Sequence, residues 1–250
     1  MQLSFVRSLA YPANFIVWSL IDIVWAGVNL GFYHVLLLNI PQISGWSRTE
    51  LLVPLGLFYL LNAFFWGAMY GNMQELPKDI NKGTLDFYLI RPIDSQFLVS
   101  SRNFGFNLFP SLVIGIVLTW MGFKSNNLFN LVNVTLIGIF TITAIVISYS
   151  LWFMSVTVAM WFSRLQNIAE VFTMAIDAAR FPTNIYPPIL RFVFMTIFPL
   201  GLIIFLPSEV ILRRTPTEYF IFPIVAAALF LALSHWFWNF ALRHYSSASS

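Results

Sequence analysis

Apolar residues run along this chain in long blocks, and the polar residues gather between them. A helix needs about 20 apolar residues at 1.5 Å rise to cross the hydrocarbon of a bilayer. Residues 14–38 form the first such block, with Asp22 as its one charge. Residues 51–74 form the second, free of charge from Leu51 to Gln74. A third is expected over 98–121, opening near Arg102, and a fourth over 129–162, in a stretch without charge from Ser125 to Ser163. The last, 217–242, ends at Arg243 and His244. Ahead of the first block, residues 1–12 place Phe5, Arg7 and Leu9 on a short amphipathic stretch suited to the interface. Arg7, Pro12 and then a full-length span read as a first crossing, not as a cleavable leader.

The region 164–216 admits two layouts. Residues 165–181 are helical in pattern but carry Glu170, Asp177 and Arg180, and 182–208 contain Pro182, Pro187, Pro188, Pro199 and Pro207. Proline removes a backbone donor and kinks helices. In one layout 165–181 crosses and 182–208 is a re-entrant hairpin in the outer leaflet. In the other, 165–186 lies on the inner surface and 187–208 crosses. Both give about six spans with both termini on the inner side. The second satisfies the excess of Lys and Arg on the inner side better, because it moves Arg180 and Arg191 inward.

Composition supports the membrane reading and removes several classes. The chain has 250 residues, 59% hydrophobic and 9% charged, where soluble domains carry roughly 25% charged residues. Mean hydropathy is +0.79. A net charge of +3, scattered along the chain, gives no nucleic-acid surface. There is no Cys, so thiolate chemistry and Cys-bound metal are excluded. His34, His235 and His244 show no ligand spacing, so no metal site is expected. No G-x-x-x-x-G-K-[ST] loop occurs, so nucleotide would have to bind another polypeptide. No catalytic residue and no bound cofactor is expected.

The exception to the apolar pattern is the segment 75–94, which holds Glu75, Lys78, Asp79, Lys82, Asp86, Arg91 and Asp94, seven of the 23 charged residues. A charged island between two membrane-length runs sits on a membrane face. Its first part, Glu75, Leu76, Pro77, Lys78, Asp79, Ile80, Asn81, Lys82 and Gly83, reads as a short interfacial helix ended by glycine. Thr84–Ile90 then returns toward the membrane, and Arg91-Pro92 stops it before the next span. The bland reading is a solvated loop. The apolar content (Leu76, Ile80, Leu85, Phe87, Leu89 and Ile90) favours a folded contact surface for a soluble partner.

The run Ile80–Ile93, with Gly83, Leu85, Asp86, Arg91 and Pro92 as its motif positions, resembles the signature after the second span of ABC-2 type permeases, in the bacterial subgroup with six-span subunits. Arg180–Pro187, with Pro199 and Pro207 following, is similar to that family's segment before the last span. The resemblance implies an all-α polytopic fold of about six transmembrane helices. It adds an N-terminal interfacial helix, a cytoplasmic coupling helix between spans 2 and 3, and a re-entrant hairpin before the last span. It also implies a single permease domain over 1–250 and a second permease subunit, like or unlike. Two separate ATPases carrying ATP and Mg would dock on the inner loop. It places the chain in a bacterial inner membrane and favours the first layout. It leaves the cargo open.

Asp22, Glu170, Asp177 and Arg180 are ionisable groups within or beside apolar helices, where charge is costly and normally faces protein or water. They are candidates to line a translocation path; the bland reading is an Asp177–Arg180 pair that only neutralises charge. With Trp18, Trp25, Trp66, Trp152 and Trp161 available, an acidic and aromatic cavity would suit an organic cation. Gly27-x-x-x-Gly31 and Gly67-x-x-x-Gly71 permit close helix approach, inside one subunit or between two. The chain is thus expected to export an amphiphilic or drug-like, cationic cargo, with lipid or glycan as the alternative. Two other classes stay open: an ion- or proton-coupled carrier, and an intramembrane enzyme using Asp22 and Asp177 as a proton-sharing pair. The enzyme lacks a GxGD or G-x-S-x-G motif.

Overall fold

A computed structural model describes residues 12–40, 42–105, 108–161 and 168–245. The N-terminal interfacial stretch, 1–12, lies almost wholly outside them. The described residues are helical, with one isolated bridge between Ile43 and Trp46 and no strand. Five helical runs have the length and apolar character to cross a bilayer: Ile16–Leu38, Leu52–Lys82, Leu108–Ser125, Leu131–Met160 and Thr217–Leu242. The pair Pro188–Thr196 and Gly201–Ile211, bent by 67°, would make a sixth.

Helix α1 (Pro12–Asn39) is the first span. The second begins as α2 (Leu52–Phe64), passes through a π-helical turn at Phe65–Met69, and continues as α3 (Tyr70–Lys82). The separate interfacial helix expected at 75–83 is therefore not formed. The apolar stripe does not stop at Gln74: Met73, Leu76 and Ile80 are all buried and carry the helix on at i, i+3, i+7 spacing. Gly83 ends it in the left-handed conformation at φ +71°, its N–H bonded to the Ile80 carbonyl at 3.3 Å.

Two short helices, α4 (Asp86–Leu89) and α5 (Ser95–Ser100), precede α6 (Leu108–Ser125). The third crossing is thus α6 and not 98–121. The polar side chain of Asn72 takes the carbonyls of Ser100 and Asn103, each at 2.8 Å, which holds that stretch in a non-helical turn. Helix α7 (Leu131–Thr157), prolonged by a 3-10 turn at Val158–Met160, is the fourth span. Then come α8 (Ile168–Ala178), α9 (Pro188–Thr196), a second π-helical turn at Gly201–Phe205 leading into α10 (Leu206–Ile211), and α11 (Ile221–Leu242).

Helices α2 and α6 meet backbone to backbone. A methyl added at Gly115 would lie 2.7 Å from the Leu60 amide nitrogen, and one at Gly56 2.8 Å from that of Thr119. Without hydrophobic drive between helices in lipid, such contact is what small residues provide. Neither glycine belongs to the expected pairs. Of those, Gly67 packs inside the chain on Leu108, while Gly27, Gly31 and Gly71 have open space around them. Within the π turn, the Gly67 carbonyl accepts from the Gly105 N–H at 2.6 Å.

The core is an aromatic stack that joins four elements. Phe65 and Trp152 lie 4.7 Å apart, Trp152 and Phe172 5.6 Å, and Phe172 and Phe198 5.9 Å. Helix α8 has eleven residues, about 16 Å of rise, short of the roughly 30 Å hydrocarbon. Within the described residues, the crossing expected over 165–181 is therefore only a half-length helix. Phe181 then meets Phe32 and Tyr33 near the C-terminal end of α1, at 5.6 and 5.8 Å. Farther on, Arg214 reaches Glu50 at 3.4 Å and lies 4.4 Å over the Trp46 ring. Both ends of 182–211 thus lie toward the 40–51 loop, while Phe198 between them reaches Phe172.

Candidate functional site

The charged island folds into a tip held on a stem. The stem is α3; the tip is α4 with the turn after it. Leu85 is fully buried and anchors the tip, while Phe87 and Ile90, 65% and 78% exposed, point away from the body together with Arg91, Pro92 and Ile93. Exposed apolar side chains on a charged, water-level feature mark a contact surface. Thr84–Ile90, expected to return toward the membrane, forms a turn and the short helix α4. Glu75, Lys78, Asn81 and Lys82 stay on the stem's outer side, where Lys78 and Glu75 form an exposed pair at 2.8 Å.

Arg102 clasps tip to stem. Its guanidinium is ion-paired with Asp79 of α3, donates to the Tyr88 hydroxyl of α4 at 3.1 Å and to the Asn72 carbonyl at 3.4 Å, and lies 4.7 Å over the Tyr88 ring. Its Nε donates to the Val99 carbonyl at 3.1 Å. Partial burial disfavours the charged form, but the Tyr88 and Asp79 partners outweigh it and push the guanidinium pKa above its ordinary value. Asp79 also accepts from the Thr84 hydroxyl at 2.7 Å, across Gly83. The island is in turn bolted to the spans. Asp94 caps α5, Gln96 donates to Ser234 at 2.9 Å, the Trp238 indole donates to Ser95 at 2.9 Å, and Ser100 and Tyr149 share a bond of 2.8 Å.

A second polar cluster lies among the spans. Arg180 donates to the Asn29 side-chain carbonyl at 3.1 Å, and Asn29 donates to the Tyr59 hydroxyl at 3.0 Å. The Tyr33 hydroxyl donates to the Arg180 carbonyl, and that of Tyr186 to the Ala178 carbonyl at 2.8 Å. Of the four candidate path residues, Arg180 sits in this cluster and Asp177 lies beside it in the chain at the end of α8; Asp22 is on α1, and Glu170 sits on α8 with its side chain outside the described part. The simple Asp177–Arg180 neutralising pair is not made, because Arg180 Nε bonds to the Asp177 main-chain carbonyl at 2.9 Å and the guanidinium turns to Asn29. Asp22 accepts from Ser111 at 3.0 Å, so among the described contacts it forms no proton-sharing pair with Asp177.

The expected tryptophan cage is not assembled. Trp152 is in the core stack, Trp161 lies against Phe237 at 5.7 Å, and Trp18 and Trp25 are exposed on α1. Tyrosines take that place. The residues that reading the chain passed over are Asn72, Tyr88 and Arg102 at the island, and Asn29 and Tyr59 at the cluster. Two of these had a signal: Asn29 and Asn72 are amides inside otherwise apolar helices, where a lone polar group needs a partner.

Long apolar helices, a folded charged tip and a polar cluster among the helices define a polytopic helical membrane protein. A family model described as ABC-2 family transporter protein matches residues 23–249. The chain belongs to that family, and is thereby the membrane permease component of an ABC transporter, which works with ATP-binding subunits. No curated protein and no solved structure matches it.

Proposed function

We propose that the chain is one of two permease subunits of an exporter in a bacterial inner membrane, with both termini cytoplasmic. Two separate ATPase subunits, each holding ATP and Mg2+, dock on the island. The exposed Phe87, Ile90 and Ile93, on a tip clasped by Arg102, carry this reading. Apolar side chains held rigidly at a water-level surface suit a groove on a soluble partner. The contact thus centres on 86–93, with Glu75–Gly83 as the lever behind it. ATP binding favours one of two rigid-body arrangements, and the lever passes the motion to the spans.

In this reading 182–211 is a re-entrant hairpin, because its ends approach the 40–51 loop while its tip meets the core. Asp22, Asp177 and Arg180 sum to −1, from two carboxylates and one guanidinium. They line the path and favour an amphiphilic cation over an anionic cargo.

The test is co-purification in mild detergent. The wild type brings down a chain bearing a Walker A peptide and ATPase activity. Phe87→Asp with Ile90→Asp removes both without lowering the permease melting temperature, and Lys78→Ala changes neither. Retention of the ATPase by the double variant would overturn the docking assignment. Transport by the purified permease alone, driven by an ion gradient, would overturn the exporter.

A further inference from the structure

We infer that the end of α6 away from the island carries a seat for the headgroup of an anionic phospholipid, apart from the polar cluster and independent of the transport reading. Val113, Ile116, Val117 and Trp120 are exposed on α6 and recur at the spacing of one helical face. Lys124 continues that face one turn past Trp120, with its Nζ 5.1 Å from the Trp120 ring centroid. An apolar stripe about one acyl segment long therefore leads up to a single cation.

The chain then turns back sharply. Asn127 takes the left-handed conformation at φ +53°, and the Leu128 N–H bonds to the Phe123 carbonyl at 2.9 Å. The turn brings the exposed Phe129 to the same concavity as Trp120. The concavity so formed has a volume of about 340 Å³ and is lined by Trp120, Phe123, Lys124, Asn127 and Phe129. Phe123, buried, makes its floor. Among the described residues no carboxylate pairs with Lys124. Glu50, on the same side, is held by the Ser47 amide at 2.8 Å and by Arg214 at 3.4 Å.

A lysine that merely snorkels needs only an exposed stem. Here the lysine shares a shallow, open concavity with an amide and two exposed aromatic rings, at the end of an apolar track. A cation is repelled by Lys124. A small inorganic anion would leave Trp120, Phe129 and the stripe uncovered. A phosphodiester on Lys124 and Asn127, with its acyl chain along Trp120, Val117 and Val113, uses all of these features. The shared chemistry with free phosphate is the ammonium–phosphate contact, and the two sources are separable.

The full chain, purified in mild detergent, is titrated with phosphatidylglycerol, phosphatidylcholine and inorganic phosphate, and bound adducts are counted by native mass spectrometry. Phosphatidylglycerol is expected to be preferred over phosphatidylcholine by about tenfold, the ratio set by about 1.4 kcal/mol of charge-assisted bonding. Lys124→Glu abolishes the preference and Lys124→Arg keeps it. Trp120→Ala weakens both lipids alike, and inorganic phosphate does not compete. Equal retention of the two lipids, or a preference that survives Lys124→Glu, overturns the proposal. Displacement of phosphatidylglycerol by inorganic phosphate overturns the lipid assignment. If Lys124→Glu fails to fold, Lys124→Met supplies the same comparison.

Discussion

Removing the Arg102 guanidinium is the sharpest perturbation of the tip. In Arg102→Ala the Asp79 carboxylate keeps the Thr84 hydroxyl, while Tyr88 loses a hydrogen bond and the nearer of the two cations over its ring, Arg91 remaining at 5.8 Å. The Asp79 and Arg102 side chains are 15% and 14% exposed. Breaking one side of a well-buried pair costs about 3–5 kcal/mol, and the water-level position puts this one near the lower end. About 3 kcal/mol is a little over a hundredfold in the population of the clasped tip. Asp79→Asn costs less, because Arg102 retains Tyr88, Asn72 and Val99.

Hydrogen exchange reads this directly. The Leu85 N–H bonds to the Asp79 carbonyl at 3.3 Å, and the Tyr88 N–H to that of Leu85 at 2.9 Å. Both amides report on whether tip and stem are joined. In Arg102→Ala their exchange is expected to speed up by about two orders of magnitude, with the span amides of α2 and α6 unchanged. Arg102→Lys, which keeps the charge and loses the fork, falls between. ATP hydrolysis by the bound partner then continues while transport falls. Protection of Leu85 and Tyr88 within about threefold of wild type would mean that the clasp is not what holds the tip.

Gly115→Ala places a methyl against the Leu60 backbone and is expected to destabilise by about 1–3 kcal/mol, seen as a lower melting temperature in detergent. Gly27→Ala, with nothing within 4 Å, leaves the melting of the single chain unchanged. Partial burial pushes the Glu50 carboxyl up, but the Ser47 amide and hydroxyl and the Arg214 charge outweigh it and hold it below its ordinary value. A depressed carboxylate contributes stability above its unfolded pKa and loses it as pH falls through the folded one. Melting temperature should therefore drop below about pH 4, and Glu50→Gln should flatten that drop at a cost of under about 1 kcal/mol at neutral pH. Arg180→Ala removes the cation that bonds to Asn29 and, in the proposed path, is expected to cut transport by more than about tenfold, with ATP hydrolysis retained.

How much of this could be read from the chain differs from element to element, for physical reasons. The spans were legible because charge-free runs such as 51–74 have one solution in lipid. The end of the second helix was legible in Gly83, where the chain needs positive φ. Its continuity across Glu75 was not, because polarity marks where water begins and not where hydrogen bonding stops. The stripe of Met73, Leu76 and Ile80 runs straight over that boundary. The start of the third crossing was hidden in a contact between residues far apart, Asn72 with Ser100 and Asn103. The polar cluster was half visible: the charges stood out, while the tyrosines that receive them were lost among the aromatic residues, 18% of the chain.

The second span helix joins these features mechanically. From Leu52 to Lys82 it has 31 residues, about 46 Å of rise. Its first half is fastened to α6 through Gly56 and Gly115, and its second half to the stretch 100–103 through Asn72 and Asp79. Between these fastenings lies the π turn Phe65–Met69, the one place where its hydrogen-bond register changes and where a neighbour, Gly105, supplies a bond from outside. Phe65 stands at that turn, at the head of the stack that passes through Trp152 and Phe172 to Phe198 at the bend between α9 and α10. A displacement of the tip therefore cannot be absorbed at either fastened end. In the proposed coupling it appears at this change of hydrogen-bond register, and the rings carry it to the bend.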